Sequence, residues 1–208
     1  MIELKDFTEL TPNNLIEDLV AYIYKELSNF TSSSEFTDIL VKKKNENQHS
    51  TAFCVFMTNK CLSKFCFQRE NAQKGSSVID IGVYFGSNLI FTIEAKLLPT
   101  PTGTKKKPRT DHEYVYGQGA GIERFKSEKH GYDNTDNSLN ENAMIGYITE
   151  NNFDFWLEKV NNWIIEANWD EREKLEQVLI STVISLKSVH KRRNNIDVTL
   201  HHFWVKVA

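Results

Sequence analysis

The stretch from Val78 to Leu98, VIDIGVYFGSNLIFTIEAKLL, carries Asp80, Glu94 and Lys96 inside a run that otherwise has the composition of buried strand. Two carboxylates that face each other repel unless a cation lies between them, and hard oxygen ligands suit Mg²⁺ or Mn²⁺. Such an ion polarises a phosphate oxygen, generates hydroxide near neutral pH and stabilises a leaving oxygen. A lysine two residues beyond the second acid, projecting the same way, can hold the attacking water or offset charge developing on the phosphate. These residue types suit metal-assisted phosphodiester hydrolysis; the competing assignment is a surface salt-bridge patch.

Side chains alternate faces along a strand, so the two arms can be sorted. Leu89, Phe91, Ile93, Ala95 and Leu97 form one apolar face of the second arm, opposite Ile90, Thr92, Glu94 and Lys96; in the first arm Ile79, Ile81, Val83 and Phe85 stand opposite Asp80, Gly82 and Tyr84. With Gly86-Ser87-Asn88 taken as a three-residue turn, Phe85 faces Leu89, and counting outward pairs Asp80 with Glu94. Paired residues share a face, roughly 5 Å apart at Cβ. The alternation predicts Ile79, Ile81, Val83, Phe91, Ile93 and Ala95 buried against one layer.

The remaining elements must hold this hairpin. Pro12 to Phe30 has Leu15, Leu19, Tyr22, Ile23 and Leu27 at helical spacing behind Thr11 as N-cap. Thr51 to Thr58 and Leu62 to Arg69 are β-rich and predict a first hairpin, followed by a loop over Asn71 to Ser77. Pro99 to Glu113 holds three of the four prolines and no periodicity, which predicts a long loop. Gly121 to His130 predicts a helix stopped by Gly131, Ala143 to Thr149 a buried strand, Phe153 to Ala167 and Asp170 to Lys191 two amphipathic helices, and Val198 to Val207 a last strand.

An acid on one strand followed by Glu-x-Lys on the next strand of a hairpin, here Asp80 in VIDIG and Glu94-Ala95-Lys96 in IEAK, resembles the PD-(D/E)xK nuclease superfamily, also called the restriction-endonuclease-like fold. The proline that often precedes the first acid is absent, Ile79 standing there. The resemblance covers about 12–149 and implies an α/β fold with a mixed central β-sheet flanked by helices, to which about 150–208 add helices and a final strand within one domain. It implies Asp80, Glu94 and Lys96 as catalytic residues, with Mg²⁺ or Mn²⁺ held by Asp80, Glu94 and the Ala95 backbone carbonyl. An acid of the opening helix often joins such a site, and Glu17 and Glu26 are the candidates. Gln118, Arg124 and Lys126 fall at or in the helix after the motif, and Lys105, Lys106, Lys107 and Arg109 of the preceding loop are placed to grip phosphates. Gly117, Gly119 and Gly121 permit close backbone approach. His112 and His130 are read as exposed polar residues more readily than as phosphate contacts.

With 208 residues, 40% hydrophobic and 12% aromatic, the chain can bury a core. A formal net charge of -3 argues against nonspecific coating of nucleic acid, so the distribution of charge matters more, with basic clusters at Lys42 to Lys44, Lys105 to Arg109 and Lys187 to Arg193. MIELKDFTEL has neither a basic n-region nor an apolar h-region, and no later run suits a spanning helix, so a cytoplasmic protein without a membrane partner is expected. Cys54, Cys61 and Cys66 lack zinc-site spacing and are expected as reduced core thiols. The function expected is a nuclease acting on nucleic acid, DNA favoured, compatible with defence, restriction or repair and with a homodimer. The alternative is an inactive module on the same fold that binds nucleic acid, or a protein partner through its C-terminal helices.

Overall fold

The computed structural model describes residues 12–40, 45–61, 64–104, 108–117, 121–180 and 183–207, the side chains of 12–14, 40, 179–180 and 183–184 excepted. Its centre is a mixed sheet of seven strands with helices on both faces. The strands are β1 (Cys66–Ala72), β2 (Val78–Phe85), β3 (Asn88–Leu98), β4 (Glu141–Ile148), β5 (Glu176–Ile180), β6 (Val183–Lys191) and β7 (Asp197–Lys206). Their spatial order is β1-β2-β3-β4-β7-β6-β5. The pairs β3–β4 and β4–β7 are parallel and the other four are antiparallel. Strands β3, β4 and β7 are therefore central and buried on both faces, which is how β3 comes to enclose Glu94 and Lys96 at 1% and 5% exposure.

One face carries helices α1 (Pro12–Phe30), α2 (Ser34–Leu40) and α3 (Glu46–Lys60). Leu19, Ile23, Phe30, Phe53, Phe56 and Met57 pack there on Ile81, Phe91, Ile93, Ala95, Ile145 and Phe203. The other face carries a 3₁₀ turn (Asp111–Tyr114), α4 (Gly121–Lys126) and α5 (Phe153–Glu166). There Tyr114, Ile122, Phe125, Trp156 and Trp163 meet Met144, Leu200 and Trp204. Ile81, Val83, Phe91, Ile93 and Ala95 share the first layer as the alternation predicts. Ile79 instead joins the second, beyond the point where Glu70 of the paired strand takes a left-handed backbone (φ 54). No helix of the described residues is long and apolar enough to cross a membrane.

Two segments differ from expectation. Thr51 to Thr58 is not a strand but the body of α3, capped by Asn45, whose side chain accepts from the Gln48 amide at 3.0 Å. His49, Ala52, Phe53, Phe56 and Met57 are buried at helical spacing, so position in the turn prevails over the β-propensity of Phe, Val and Thr. Only the second half of the predicted first hairpin survives, as β1. Asp170 to Lys191 is not a helix but a 3₁₀ turn (Glu171–Glu173) followed by β5 and β6. Leu186, Ser188 and His190 point inward on β6, and it is the polar character of two of them that hides the period-2 pattern. The C-terminal part is thus not mainly a helical addition, since β7 lies beside β4 in the middle of the sheet. Cys54 and Cys66 are a helix and a strand residue; the three thiols are unpaired, Cys54 and Cys61 in the core as expected and Cys66 only partly buried.

Candidate functional site

The β2–β3 hairpin pairs Phe85 with Asn88 across a two-residue turn, Gly86-Ser87, one residue shorter than expected. Gly86 supplies the positive φ of 59 that this turn demands. A bulge between Val83 and Tyr84 shifts the register, so that Val83 faces Phe91 and Ile81 faces Ile93. The two departures cancel. The pairing from Val83–Phe91 to Ile81–Ile93 is the one read from the sequence; beyond Ile81 the Asp80 side chain, rather than a paired backbone, meets β3.

The Asp80 carboxylate accepts a hydrogen bond from the Ala95 amide (2.8 Å, Oδ2). Lys96 Nζ donates to Glu94 Oε1 at 2.7 Å and to the Ala95 carbonyl at 2.9 Å. Burial pushes Asp80 up to about 7, and the nearby Glu94 charge pushes the same way against the pull of Lys96. Burial would raise Glu94 as well, but Lys96, His130 and Arg124 outweigh it and hold this carboxyl at about 2. Burial lowers the Lys96 ammonium's pKa, while Glu94, Glu46 and Asp80 more than restore it, leaving it raised. The result is one carboxylate fully compensated by cations and a second left short of positive charge.

Glu46, the first residue of α3, also reaches this cluster and was not found from the sequence. Its Oε2 accepts from the Leu97 amide at 3.2 Å, and its charge is felt by both Asp80 and Lys96. The expected helix acids are not there: Glu17 is exposed on α1, and Glu26 accepts from Asn29 at 3.1 Å. The helix that precedes the motif strands in space is α3, not α1. Reading 51–58 as strand concealed its N-terminus, where an acid after an Asn cap was the available signal.

His130 is not an exposed residue. It is buried, with Nδ1 3.2 Å from Glu94 Oε2, out of hydrogen-bond alignment, and Nε2 3.3 Å from Arg124 Nη1. Arg124 stands 3.5 Å from Glu94 Oε1. Helix α4 delivers Arg124 because Gly121 lets it sit on the 3₁₀ turn; a Cβ there would lie 2.6 Å from the Tyr114 carbonyl oxygen. Gly117 has a left-handed φ of 111. Lys126 turns away, ion-paired to Glu173 and 4.4 Å over the Trp169 ring. Arg109 binds Glu113 at 2.8 Å and lies 3.9 Å from Glu46. His112 stacks on Tyr116 at 4.1 Å. Lys105, Lys106, Lys107, Gln118 and Gly119 lie outside the described residues.

Asp80, Glu94, Glu46 and the Ala95 carbonyl are all hard oxygen donors, the chemistry that Mg²⁺ or Mn²⁺ requires. Their arrangement is closed, however, by Lys96, which holds both Glu94 Oε1 and Ala95 O. Among the described residues no group of three or more His, Cys, Asp or Glu side chains is gathered in a form that could hold a metal ion. Donor type fits; seating an ion against Glu94 Oε1 or the Ala95 carbonyl requires the lysine to yield that oxygen.

A second polar cluster crosses β6 and β7 on the same sheet face. Glu173 accepts from His190 Nδ1 (2.8 Å), and Ser188 Oγ lies 2.7 Å from both His190 Nε2 and His202 Nε2. His202 Nδ1 is 2.8 Å from Tyr114 Oη, which accepts from Trp204 Nε1 at 2.9 Å. One proton assignment satisfies every link: Ser188 donates to His190, His202 to Ser188, Tyr114 to His202, with both imidazoles neutral. Burial lowers the pKa of both histidines, that of His202 strongly. Serine, histidine and glutamate in this order have the shape of a nucleophile, base and orienting acid. Ser188 is nevertheless buried and bonded on both sides, so the chain cross-links strands and turns and carries no nucleophile.

The chain has no significant match among family models, curated proteins or solved structures.

Proposed function

We propose that this chain is a metal-dependent nuclease with a restriction-endonuclease-like core, hydrolysing phosphodiester bonds in nucleic acid, with DNA the favoured substrate. The observation that supports it is the gathering of Asp80, Glu94 and Lys96 around the Ala95 backbone, with burial and the neighbouring Glu94 charge holding Asp80 at about 7 against the pull of Lys96. Buried carboxylates out of electrostatic balance are costly, and such imbalance gathers at functional sites. A divalent ion bound there supplies Lewis acidity and a water of lowered pKa. Asp80 and Glu94, joined by Glu46, are the residues that would hold it. Lys96, buried and kept protonated by three carboxylates, supplies positive charge for the developing phosphate oxyanion. Arg124 and His130 hold Glu94 from its far side and keep it ionised.

Isothermal calorimetry with Mn²⁺, together with single-turnover cleavage of plasmid and single-stranded DNA, tests this reading. A saturable site lost in Asp80→Asn, with cleavage lost alongside it, is the expected result. A second reading, an inactive module on the same fold, is favoured by the hold of Lys96 on Glu94 and Ala95. It predicts no Mn²⁺ heat in the parent and no cleavage.

A further inference from the structure

Along α4 lies a polar cleft of about 590 Å³ whose lining includes Ser127, Lys129, Arg193 and Arg124, the last 3.5 Å from Glu94. A second recess of about 220 Å³ adjoins it, sharing Ser127 and Arg193 and adding Arg192 and Trp169. The turn between β6 and β7 brings both arginines here because the Arg193 amide donates to the Lys126 carbonyl at the end of α4, at 3.1 Å. Lys129 and Arg193 are exposed and enter no ion pair among the described residues. Arg192 is only 3% exposed; its Nη2 donates to the Leu139 carbonyl at 2.6 Å, while its Nε and Nη1 have no acceptor. Those two donors are shut off from solvent, so the groups that can meet an anion in the cleft are the exposed Lys129 and Arg193, and the guanidinium fork of Arg193 matches phosphate. Glu123, the acid lining both cavities, turns aside to accept from the Gly117 amide at 3.1 Å.

We propose that this cleft is the track of a single-stranded nucleic acid, with backbone phosphates on Arg124, Lys129 and Arg193 and one unpaired base against Trp169. The track rests on the nuclease reading for its direction, since Arg124 touches Glu94 and lines the cleft. Its ligand class rests on the cleft itself. Trp169 is half-buried, with Lys126 over its ring, and lines a recess of a size for one base rather than for a duplex. Paired bases are stacked on each other and have no face to offer an indole, whereas a single strand has one at every nucleotide.

Fluorescence anisotropy of a labelled oligothymidylate of about 20 nucleotides, with the full chain in EDTA, tests the proposal without any cleavage. Arg193→Gln with Lys129→Gln should lower the salt slope of single-strand binding by about 0.7 for each phosphate no longer neutralised. Trp169→Leu should weaken that binding roughly 5- to 100-fold and duplex binding little. Trp169→Phe, which keeps a stacking face, should recover most of the affinity, and thermal melts of each variant distinguish a missing ring from a failure to fold. Equal affinity for duplex and single strand with no effect of Trp169→Leu would overturn the track. So would retention on phosphatidylserine vesicles or poly-glutamate in place of the oligonucleotide. A parent that binds as expected but does not cut with Mn²⁺ ends the nuclease reading and leaves the track standing; a parent that cuts but binds indifferently to these substitutions ends the track alone.

Discussion

The two polar clusters under this sheet face are near neighbours of opposite character. Glu94 pairs in register with Met144, and Met144 with His202, so only one strand separates the carboxylate–lysine group from the His190–Ser188–His202 chain. In the second cluster every donor finds an acceptor and every histidine is neutral. In the first, Lys96 and Arg124 stand against Glu94, while Asp80, buried beside the Glu94 charge, is raised from its ordinary value of 3.8 to about 7. A fully satisfied buried network fixes strands in place, whereas an unbalanced one stores a need for a ligand or a proton. It is the imbalance, more than the presence of polar residues, that marks the β2–β3 end as the place for chemistry.

Substitutions on the two sides should therefore separate activity from stability. The largest effect is expected in single-turnover cleavage. Asp80→Asn and Glu94→Gln should each reduce the rate by about 10²–10³-fold or more and remove Mn²⁺ binding with it. Lys96→Met should lose turnover to a similar degree while keeping Mn²⁺ affinity or raising it, because it frees Glu94 Oε1 and Ala95 O. Ser188→Ala should leave cleavage by the folded protein unchanged. A fully active Lys96→Met, or a Ser188→Ala that is folded and dead, reverses the assignment of the two clusters.

Next in size is Glu46. Glu46→Gln should weaken Mn²⁺ binding by about 10- to 100-fold, as removal of a supporting ligand does. Glu17→Gln, exposed on α1, and Glu26→Gln, half-buried there and bonded to Asn29, should bind as the parent does in the same titration. If Glu26→Gln proves the damaging one, the helix that serves the site is α1 after all.

That contrast between Glu46 and Glu26 shows what the sequence could carry. The β2–β3 hairpin was legible because apolar and polar residues alternate cleanly on both arms, and the register survived a wrong loop length only because the bulge at Val83/Tyr84 compensated. Helices α1 and α5 were legible from apolar stripes. Helix α3 was not, since its first turn, ENQH, is polar and the TAFCVFMT that follows is rich in β-formers; it is the cap at Asn45 and packing against β1 and β2 that make it helical. Strand β6 was missed because its inward positions are Ser188 and His190, whose burial depends on partners contributed by β7 and the 3₁₀ turns. Arg192 and Arg193 end the basic cluster from Lys187, whose spacing names no neighbour, and it is the docking of their turn on the end of α4 that brings them to the cleft that Arg124 lines.

The stability of the satisfied cluster is open to a direct measurement. Ser188→Ala leaves His190 Nε2 without a donor and His202 Nε2–H without an acceptor, and should cost about 1–3 kcal/mol in chemical denaturation. An unchanged midpoint would mean that the chain of hydrogen bonds is replaced by water or repacking at no cost.

The smallest effect expected is a pH dependence in which the clusters oppose each other. Asp80 has a folded pKa raised from 3.8 to about 7, so the folded state binds more protons than the unfolded one between those values. Its contribution is fully present below about pH 4 and is lost as pH rises through about 7. His190 and His202 have folded pKa values lowered from 6.5, so their contribution is present above about 6.5 and is lost as pH falls below it. In the metal-free parent the two slopes partly cancel between pH 5 and 7 on this account. Asp80→Asn removes one of them. It should therefore stabilise the protein at pH 8 by on the order of 1–2 kcal/mol, Asp80 retaining some contact with solvent, and leave a profile that rises with pH through the histidine range. Denaturation midpoints in EDTA at pH 5, 6, 7 and 8 read both signs at once. If Asp80→Asn lowers stability at pH 8, the aspartate is a satisfied structural carboxylate, and the distinction between the two clusters falls.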